Sequence, residues 1–196
     1  MVLASILPGS RISIKSINLN PERMGIIRVL KRMGADIQIT HRRPQATGRE
    51  PVGDLIVRSR ALKGAIIKKK EIPSLIDELP VLMVAACYAR GKTIFEGVGE
   101  LRVKETDRIR SMSDNLRKMG GQIRVIKTAK SEKILIRGGR GLQGASVRSF
   151  GDHRTAMSMV IAALGAQGKT RIDDSTCISK SFPNFLNLLR AIIRKK

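Results

Sequence analysis

Charged side chains gather at the predicted starts of helices in this sequence. In the segment RVKETDR, Lys104 and Arg108 lie four residues apart and therefore share one helix face, with Glu105 beside them. Two cations close to the amide groups of a helix N-terminus form a suitable site for an anion. The spacing therefore predicts an anion site at this helix start.

Two further predicted helix starts carry ionic residues. GDHRTAM places Asp152 at a capping position and His153 and Arg154 in the first turn, where positive charge opposes the helix dipole. A placement that is unfavourable for stability favours a functional role. In SLIDELP, Asp77 stands at the corresponding start, where its residue type predicts an N-cap. Lys180, in CISKSFP, precedes a further predicted helix.

Two basic runs, His41-Arg42-Arg43 and residues 68–70, fall in predicted loops. We expect them to be solvated, with contact to an acidic partner as the alternative. His153 is the only histidine near other charged candidates, so no metal-ligand spacing is present and the sequence predicts no metal site.

The composition predicts a globular protein with an anionic partner. Of the 196 residues, 42% are hydrophobic, too many for a disordered basic tail. Lys and Arg number 38 against 16 Asp and Glu, a net charge of +22, so nucleic acid, a membrane surface and phosphorylated metabolites all qualify as partners.

The chain is expected to be cytoplasmic. Its longest apolar runs fall short of the ~18 residues that a membrane span needs, and MVLASILPGSR lacks the cationic region of a signal peptide. Two cysteines, Cys87 and Cys177, cannot form a disulfide framework and predict reduced thiols, although one bridge between them stays open.

The sequence repeats itself. MGADIQI returns as MGGQIRV 86 residues later, LKG returns as LQG after 80 residues, and GKT returns after 77. A unit of about 80 residues therefore occurs nearly twice. The opening stretch, LASILPGSRISIKSI, matches the end of such a unit, so we expect the chain to begin within the pattern.

Local signals divide the unit into helices and strands. Asn20 is a predicted N-cap, Pro21 suits the first helical position, and Gly34 is placed to end a helix over residues 21–33. The pattern predicts strand, helix, strand, helix, strand and one further short strand in each unit, with a last amphipathic helix over residues 182–194.

The motifs RVKETDR, GDHRTAM and CISKSFP, in this order on a repeat of this length, resemble those of the enolpyruvyl transferases, specifically the EPSP synthase (3-phosphoshikimate 1-carboxyvinyltransferase) family. The resemblance covers the whole chain. It implies an α/β fold in which each of two lobes holds three βαβαββ units around a pseudo-threefold axis, with substrates between the lobes. This chain resembles the C-terminal lobe alone, with residues 1–20 as the tail of a first unit, 21–103 as the second and 104–196 as the third.

The resemblance also implies a reaction without a metal or organic cofactor. The enolpyruvyl group of phosphoenolpyruvate moves to the 5-hydroxyl of shikimate 3-phosphate through a tetrahedral intermediate, which then eliminates phosphate. By motif, Asp77 contacts the shikimate hydroxyls and can act as general base, Lys104 contacts this substrate, and Glu105 protonates the methylene carbon. The residues matching those that hold phosphoenolpyruvate are Arg108, Arg154 and Lys180, and their supporting neighbours are Asp152 and His153.

These residue types suit that chemistry. Phosphoenolpyruvate carries a carboxylate and a phosphate, for which arginine forks and a lysine are good partners. The reaction must both give and take protons, and Glu105 and Asp77 can divide these roles because their charged surroundings differ. The spacing leaves open which carboxylate does which.

Some features depart from the family. Glu100 stands where some members have an asparagine that contacts the shikimate substrate, and nothing here matches the serine-rich phosphate pocket of the other lobe. We therefore expect little or no turnover without an N-terminal lobe as partner. A basic nucleic-acid-binding domain is an alternative. It is disfavoured because the chain has only five aromatic residues on which bases could stack, and because no nucleic-acid recognition motif is visible. A non-catalytic lobe is disfavoured because the other matched positions keep their chemical type.

Overall fold

The computed structural model describes residues 1–43, 50–129 and 131–193 of the chain, and in these ranges helices and strands alternate. The α-helices are Val2–Ile6 (α1), Gly25–Arg32 (α2), Leu79–Tyr88 (α3), Arg108–Lys118 (α4), His153–Gly165 (α5) and Phe185–Ile192 (α6). The strands are Arg11–Asn18 (β1), Asp36–Arg43 (β2), Val52–Arg58 (β3), Ile66–Ile67 (β4), Gly91–Glu96 (β5), Gln122–Lys127 (β6), Glu132–Gly138 (β7), Ser146–Val147 (β8) and Arg171–Ile172 (β9). Short 3-10 helices cover Pro21–Arg23, Lys69–Leu75, Gly99–Val103 and Thr176–Lys180.

The strands form three sheets in the described part of the chain, with the orders β1-β3-β2, β4-β5-β7-β6 and β8-β9. The pairs β4–β5 and β8–β9 are parallel, and the others are antiparallel. One strand and three strands alternate between successive helices, which is the order that consecutive βαβαββ units produce. The predicted α/β fold class is confirmed, and the division at residues 20 and 103 stays a prediction.

Helices α1, α3 and α5 contact one another in pairs at the centre of the molecule, and α4 contacts both α3 and α5. Helix α3 is apolar along most of its length and buried from Leu79 to Cys87 except at Val81. The inner faces of the sheets cover these helices with side chains such as Leu55 and Ile136, both fully buried. This packing brings together the starts of α3, α4 and α5, where the predicted functional residues lie.

The first predicted helix is present in two pieces. Asn20 accepts a hydrogen bond from the Glu22 amide and caps the turn that begins at Pro21, as predicted. The α-helix itself starts at Gly25, where the Ser74 carbonyl approaches so closely that a Cβ atom would collide with it. Gly34, with φ of 89°, ends the helix as predicted.

Two predicted helix boundaries are wrong. Asp77 does not cap α3, because the carbonyl of Glu78 accepts the first helical hydrogen bond, from Leu82, and makes Glu78 the N-cap residue. The last helix starts at Phe185 instead of residue 182, because the Phe182 amide still donates to the Ile178 carbonyl of the preceding turn. Residue 194, its predicted end, lies outside the described residues.

Both cysteines are free and buried, so the bridge that the sequence left open does not form. Burial raises the pKa of the Cys87 thiol to about 12. In residues 1–43, 50–129 and 131–193, no helix combines the length and apolar character needed to cross a membrane.

Candidate active site

Arg108 is the centre of the candidate site. It is the first residue of α4, and Asp107 caps this helix by accepting a hydrogen bond from the Arg110 amide at 3.0 Å. The Arg108 side chain is only 1% exposed, which makes it the largest fully buried side chain of the described residues. A buried guanidinium is stable only when carboxylates or carbonyls take its hydrogen bonds.

Three carboxylates surround the Arg108 guanidinium. Asp152 accepts from Nε at 3.1 Å and from Nη2 at 3.4 Å. Glu105, three residues before Arg108, accepts from Nη2 at 2.5 Å, and Asp77 accepts from Nη1 at 3.4 Å. Arg108 therefore joins the starts of α3, α4 and α5.

Asp152 anchors this junction. It is fully buried and caps α5, since its carboxylate accepts from the Arg154 and Thr155 amides and from the Thr155 hydroxyl. Burial by itself would raise the pKa of Asp152, but the hydrogen bonds from Arg108 and Thr155 outweigh it and lower the pKa below its usual range. Asp152 therefore acts both as the helix cap predicted from the sequence and as the counter-ion of Arg108.

Asp77 lies between two guanidinium groups. Its Oδ1 is 3.4 Å from Arg108 Nη1, and its Oδ2 is 2.8 Å from Arg154 Nη2. Arg154 also donates from Nη1 to the Asp77 carbonyl at 3.2 Å. We call Arg108, Arg154, Asp77, Glu105 and Asp152 the Arg108 network.

The network is open on one side. The Asp77 and Glu105 side chains are 45% and 54% exposed, and that of Arg154 is 29% exposed. His153 is largely buried, with Nδ1 3.8 Å from Asp152 Oδ1. A ligand arriving from solvent can therefore contact Arg154, Asp77 and Glu105. Asp152 and Arg108 lie buried beneath them.

A second ion cluster fixes the start of α4. Arg102 donates from Nε and Nη2 to the buried carboxylate of Glu132 and from Nη1 to Asp107, the cap of α4. The sequence patterns did not predict this cluster. Arg102 belongs to the RVKETDR motif and was a visible signal, but its partner Glu132 lies 30 residues away on β7.

Two predicted site residues lie outside the network. Lys104 donates to Glu100 at 2.7 Å, so the departure from the family pattern at Glu100 changes the charge beside this lysine. Lys180 is exposed at the end of a short 3-10 helix, and within the described ranges no hydrogen bond or ion pair joins it to Asp77, Glu105 or Asp152. The same turn packs against α5 through Cys177.

The arrangement suits anion binding and proton transfer. A carboxylate that bridges two guanidinium groups marks a place where anionic oxygen is stable, and exposed carboxylates beside cations can exchange protons with a ligand. Among the described residues, no three His, Cys, Asp or Glu side chains come together as a metal site would require.

The sequence of this chain is similar to those of known proteins. A family model described as EPSP synthase (3-phosphoshikimate 1-carboxyvinyltransferase) matches residues 1–189. The 3-phosphoshikimate 1-carboxyvinyltransferase of Desulforamulus reducens is 47% identical over 193 residues, covering 98% of this chain and 44% of the relative. That of a Synechococcus strain is 46% identical over 193 residues, covering 98% of this chain and 42% of the relative.

Solved structures share the fold. EPSP synthase from Acinetobacter baumannii superposes with a TM-score of 0.87 at 37% identity, covering 97% of this chain and 43% of that one. The enolpyruvyl transferase NikO from Streptomyces tendae, at 16% identity and a TM-score of 0.68, shares the fold alone. The chain spans less than half the length of these relatives. On the family match over residues 1–189, the chain belongs to the EPSP synthase (3-phosphoshikimate 1-carboxyvinyltransferase) family.

Proposed function

We propose that this chain supplies one half of the active site of a 3-phosphoshikimate 1-carboxyvinyltransferase. The complete site would transfer the enolpyruvyl group of phosphoenolpyruvate to the 5-hydroxyl of shikimate 3-phosphate and release phosphate. The observation that carries the proposal is the junction of three helix starts at Arg108, with Asp77 between Arg108 and Arg154. Family membership supports the same reaction.

We assign roles to the predicted residues as part of this proposal. Arg108, Arg154 and Lys180 bind phosphoenolpyruvate, while Asp152 and His153 support them. Asp77 and Lys104 contact shikimate 3-phosphate. Glu105 and Asp77 are the proton-transfer groups, and we assign protonation of the methylene carbon to Glu105 and acceptance of the 5-hydroxyl proton to Asp77.

The position of Asp77 suggests how phosphoenolpyruvate would enter. Its carboxylate bridges the two arginines, at 3.4 Å from Arg108 and 2.8 Å from Arg154. The carboxylate of phosphoenolpyruvate has the same chemistry and can take over both guanidinium groups as bidentate partners. This exchange would release Asp77 to face the sugar-like hydroxyls of the second substrate.

The burial of Arg108 limits its part in binding. Asp152 keeps Nε and one side of Nη2 occupied, so only the groups now held by Asp77 and Glu105 are available to a ligand. Arg154 is the more accessible cation and would meet the ligand first. The fixed Arg108 charge then stabilises the negative charge that develops during addition and elimination.

The proposal includes two further predictions. The rest of the substrate pocket comes from an N-terminal lobe, which we propose as the partner of this chain. The protein acts in the cytoplasm, with reduced thiols.

The test is phosphate release from phosphoenolpyruvate and shikimate 3-phosphate. We expect no turnover from the chain alone and turnover when the N-terminal half of the Desulforamulus reducens relative is added. In that mixture, Arg154→Gln should reduce kcat/KM by about 100-fold or more, because a transition-state cation is lost.

Arg110→Gln is the matched control. Arg110 lies on α4 two residues after Arg108, but its side chain is 75% exposed and contacts only Asp114 among the described carboxylates, at 3.7 Å. This variant should keep turnover within about twofold. Turnover by the chain alone, or equal losses from both variants, would contradict the proposed half-site.

A further inference from the structure

The sheet β1-β3-β2 is distorted on both sides of one buried residue. Lys15 and Ser16 of β1 together oppose Asp54 of β3, and the pairing of β2 with β3 shifts again between Thr40 and Arg43. Ser16 has φ of 52° and His41 has φ of 49°, a left-handed conformation that residues with side chains rarely adopt. Bulges of this kind redirect side chains and are frequent beside functional sites.

The bulges direct polar groups toward Asp54. The Asp54 carboxylate accepts from the Ser16 amide at 3.0 Å and from Lys15 Nζ at 2.8 Å, and His41 Nδ1 lies 3.2 Å away. The hydrogen bond from Lys15, followed by that from Ser16, holds the pKa of Asp54 below its usual range. Asp54 is therefore an ionised, buried anchor whose two oxygens are both engaged.

The second sheet shows that the repeat does not require this distortion. There the register continues from Phe95↔Ile134 to Glu96↔Lys133 without a bulge. Lys133 takes the place of Asp54, and Glu96 takes the place of Lys15, so the acidic and basic positions are exchanged. Since the same architecture forms with regular strands, the strained residues of the first sheet need another explanation.

Positive charge is in excess around Asp54. A concavity of about 490 Å³ is lined by Lys15, His41, Arg42, Arg43 and Asp54, and we call this group the bulged site. Its one carboxylate already pairs with Lys15. In the part of the chain that the structure describes, no carboxylate lies within 4 Å of the Arg42 or Arg43 guanidinium, and Arg43 donates only to the Ser16 hydroxyl, at 3.5 Å.

We propose that the bulged site binds a small phosphate-bearing anion, with Arg42 and Arg43 as its principal partners. Guanidinium groups match the geometry of phosphate oxygens, and two of them on adjacent residues can bind a ligand with two phosphate groups. Lys15, whose ammonium contacts Asp54, supplies a further donor at the wall of the concavity, which His41 also lines. The proposal does not depend on the proposed enzymatic function, because no residue of the Arg108 network takes part.

The test uses inorganic pyrophosphate as the probe and the isotopically labelled 196-residue chain, observed through its backbone amide NMR signals. We expect saturable shifts at residues of the β1 and β2 bulges. The double variant Arg42→Gln/Arg43→Gln should bind about tenfold more weakly or worse, because both forks are lost. Both side chains are exposed, so the fold should be unaffected.

The matched control is Lys127→Gln/Lys133→Gln, which removes two charges from the corresponding region of the second sheet, β4-β5-β7-β6. It keeps the net charge equal to that of the first double variant and should bind within about twofold of the unchanged chain. Equal weakening in both variants would reduce the effect to general charge and overturn the site. Shifts confined to residues 105–108 and 152–154, which Arg154→Gln abolishes, would place pyrophosphate at the Arg108 network instead and also overturn it.

Discussion

Helices α3 and α5 occupy equivalent places in the repeat, but the acidic residues at their starts have different roles. Each helix connects a two-residue strand to a strand that pairs with it in parallel. At the start of α5, Asp152 is fully buried, caps the helix and binds Arg108. At the start of α3, Glu78 holds the cap position without a side-chain hydrogen bond, and Asp77 extends to Arg108 and Arg154.

The difference separates a structural carboxylate from an exchangeable one. Without a side-chain cap, α3 lacks an interaction that is typically worth about 1 kcal/mol. In return, the Asp77 carboxylate stays 45% exposed and faces two guanidinium groups that a ligand can also bind. Asp152 has neither exposure nor freedom, since helix amides, a hydroxyl and a guanidinium all hold it.

The largest expected effect comes from removing the structural carboxylate. Asp152→Ala should lower the free energy of unfolding by about 3–5 kcal/mol, because it leaves the buried Arg108 charge without its fully buried carboxylate partner and removes the α5 cap. Urea unfolding followed by circular dichroism measures this change. Asp77→Ala, the counterpart at α3, should lower the free energy of unfolding by about 1 kcal/mol or less, since the Asp77 side chain in the two pairs that it breaks is 45% exposed. If Asp152→Ala lowered the free energy of unfolding less than Asp77→Ala does, Asp152 would not be the structural carboxylate of the two.

The pH dependence of stability should identify the same carboxylate. Hydrogen bonds from Arg108 and Thr155 outweigh burial and lower the pKa of Asp152, so the folded chain binds this proton less tightly than the unfolded chain does. Its stabilising contribution is complete above the unfolded pKa of about 4 and decreases as the pH falls through the folded value. The difference in unfolding free energy between the unchanged chain and Asp152→Asn should therefore narrow below about pH 4. If this difference in unfolding free energy stayed constant down to about pH 3, the lowered pKa of Asp152 would be contradicted.

The smallest effect concerns the uncapped start of α3. Burial raises the pKa of Glu78, and the nearby charge of Arg154 offsets this only in part, so its ionised form is disfavoured in the folded chain. Glu78→Gln should stabilise the chain at neutral pH by about 0.5 kcal/mol, and the gain should disappear below about pH 4, where the glutamate is protonated in both states. Thermal unfolding at two pH values measures it. A destabilised variant at neutral pH would show that the ionised Glu78 is needed at this helix start.

Features that depend on neighbouring residues in the chain could be predicted from the sequence. Asn20 and Asp152 cap through amides two or three residues away, so their roles follow from the sequence pattern. The order of strands and helices within each unit of about 80 residues followed from local patterns, and the family resemblance implied the α/β class. The same local logic failed at Asp77, because two arginines brought near by the fold compete with the helix end for its carboxylate.

The sequence alone determined the caps at Asn20 and Asp152, the helix end at Gly34 and the repeat, because these depend on neighbours within a few positions or on direct recurrence. Only the tertiary structure decided which charges meet. Arg108 reaches Asp77 and Asp152 across 31 and 44 residues, and Asp54 reaches Lys15 across 39. Such pairs depend on how helices and sheets pack, since burying one ion requires a partner wherever the fold can supply it.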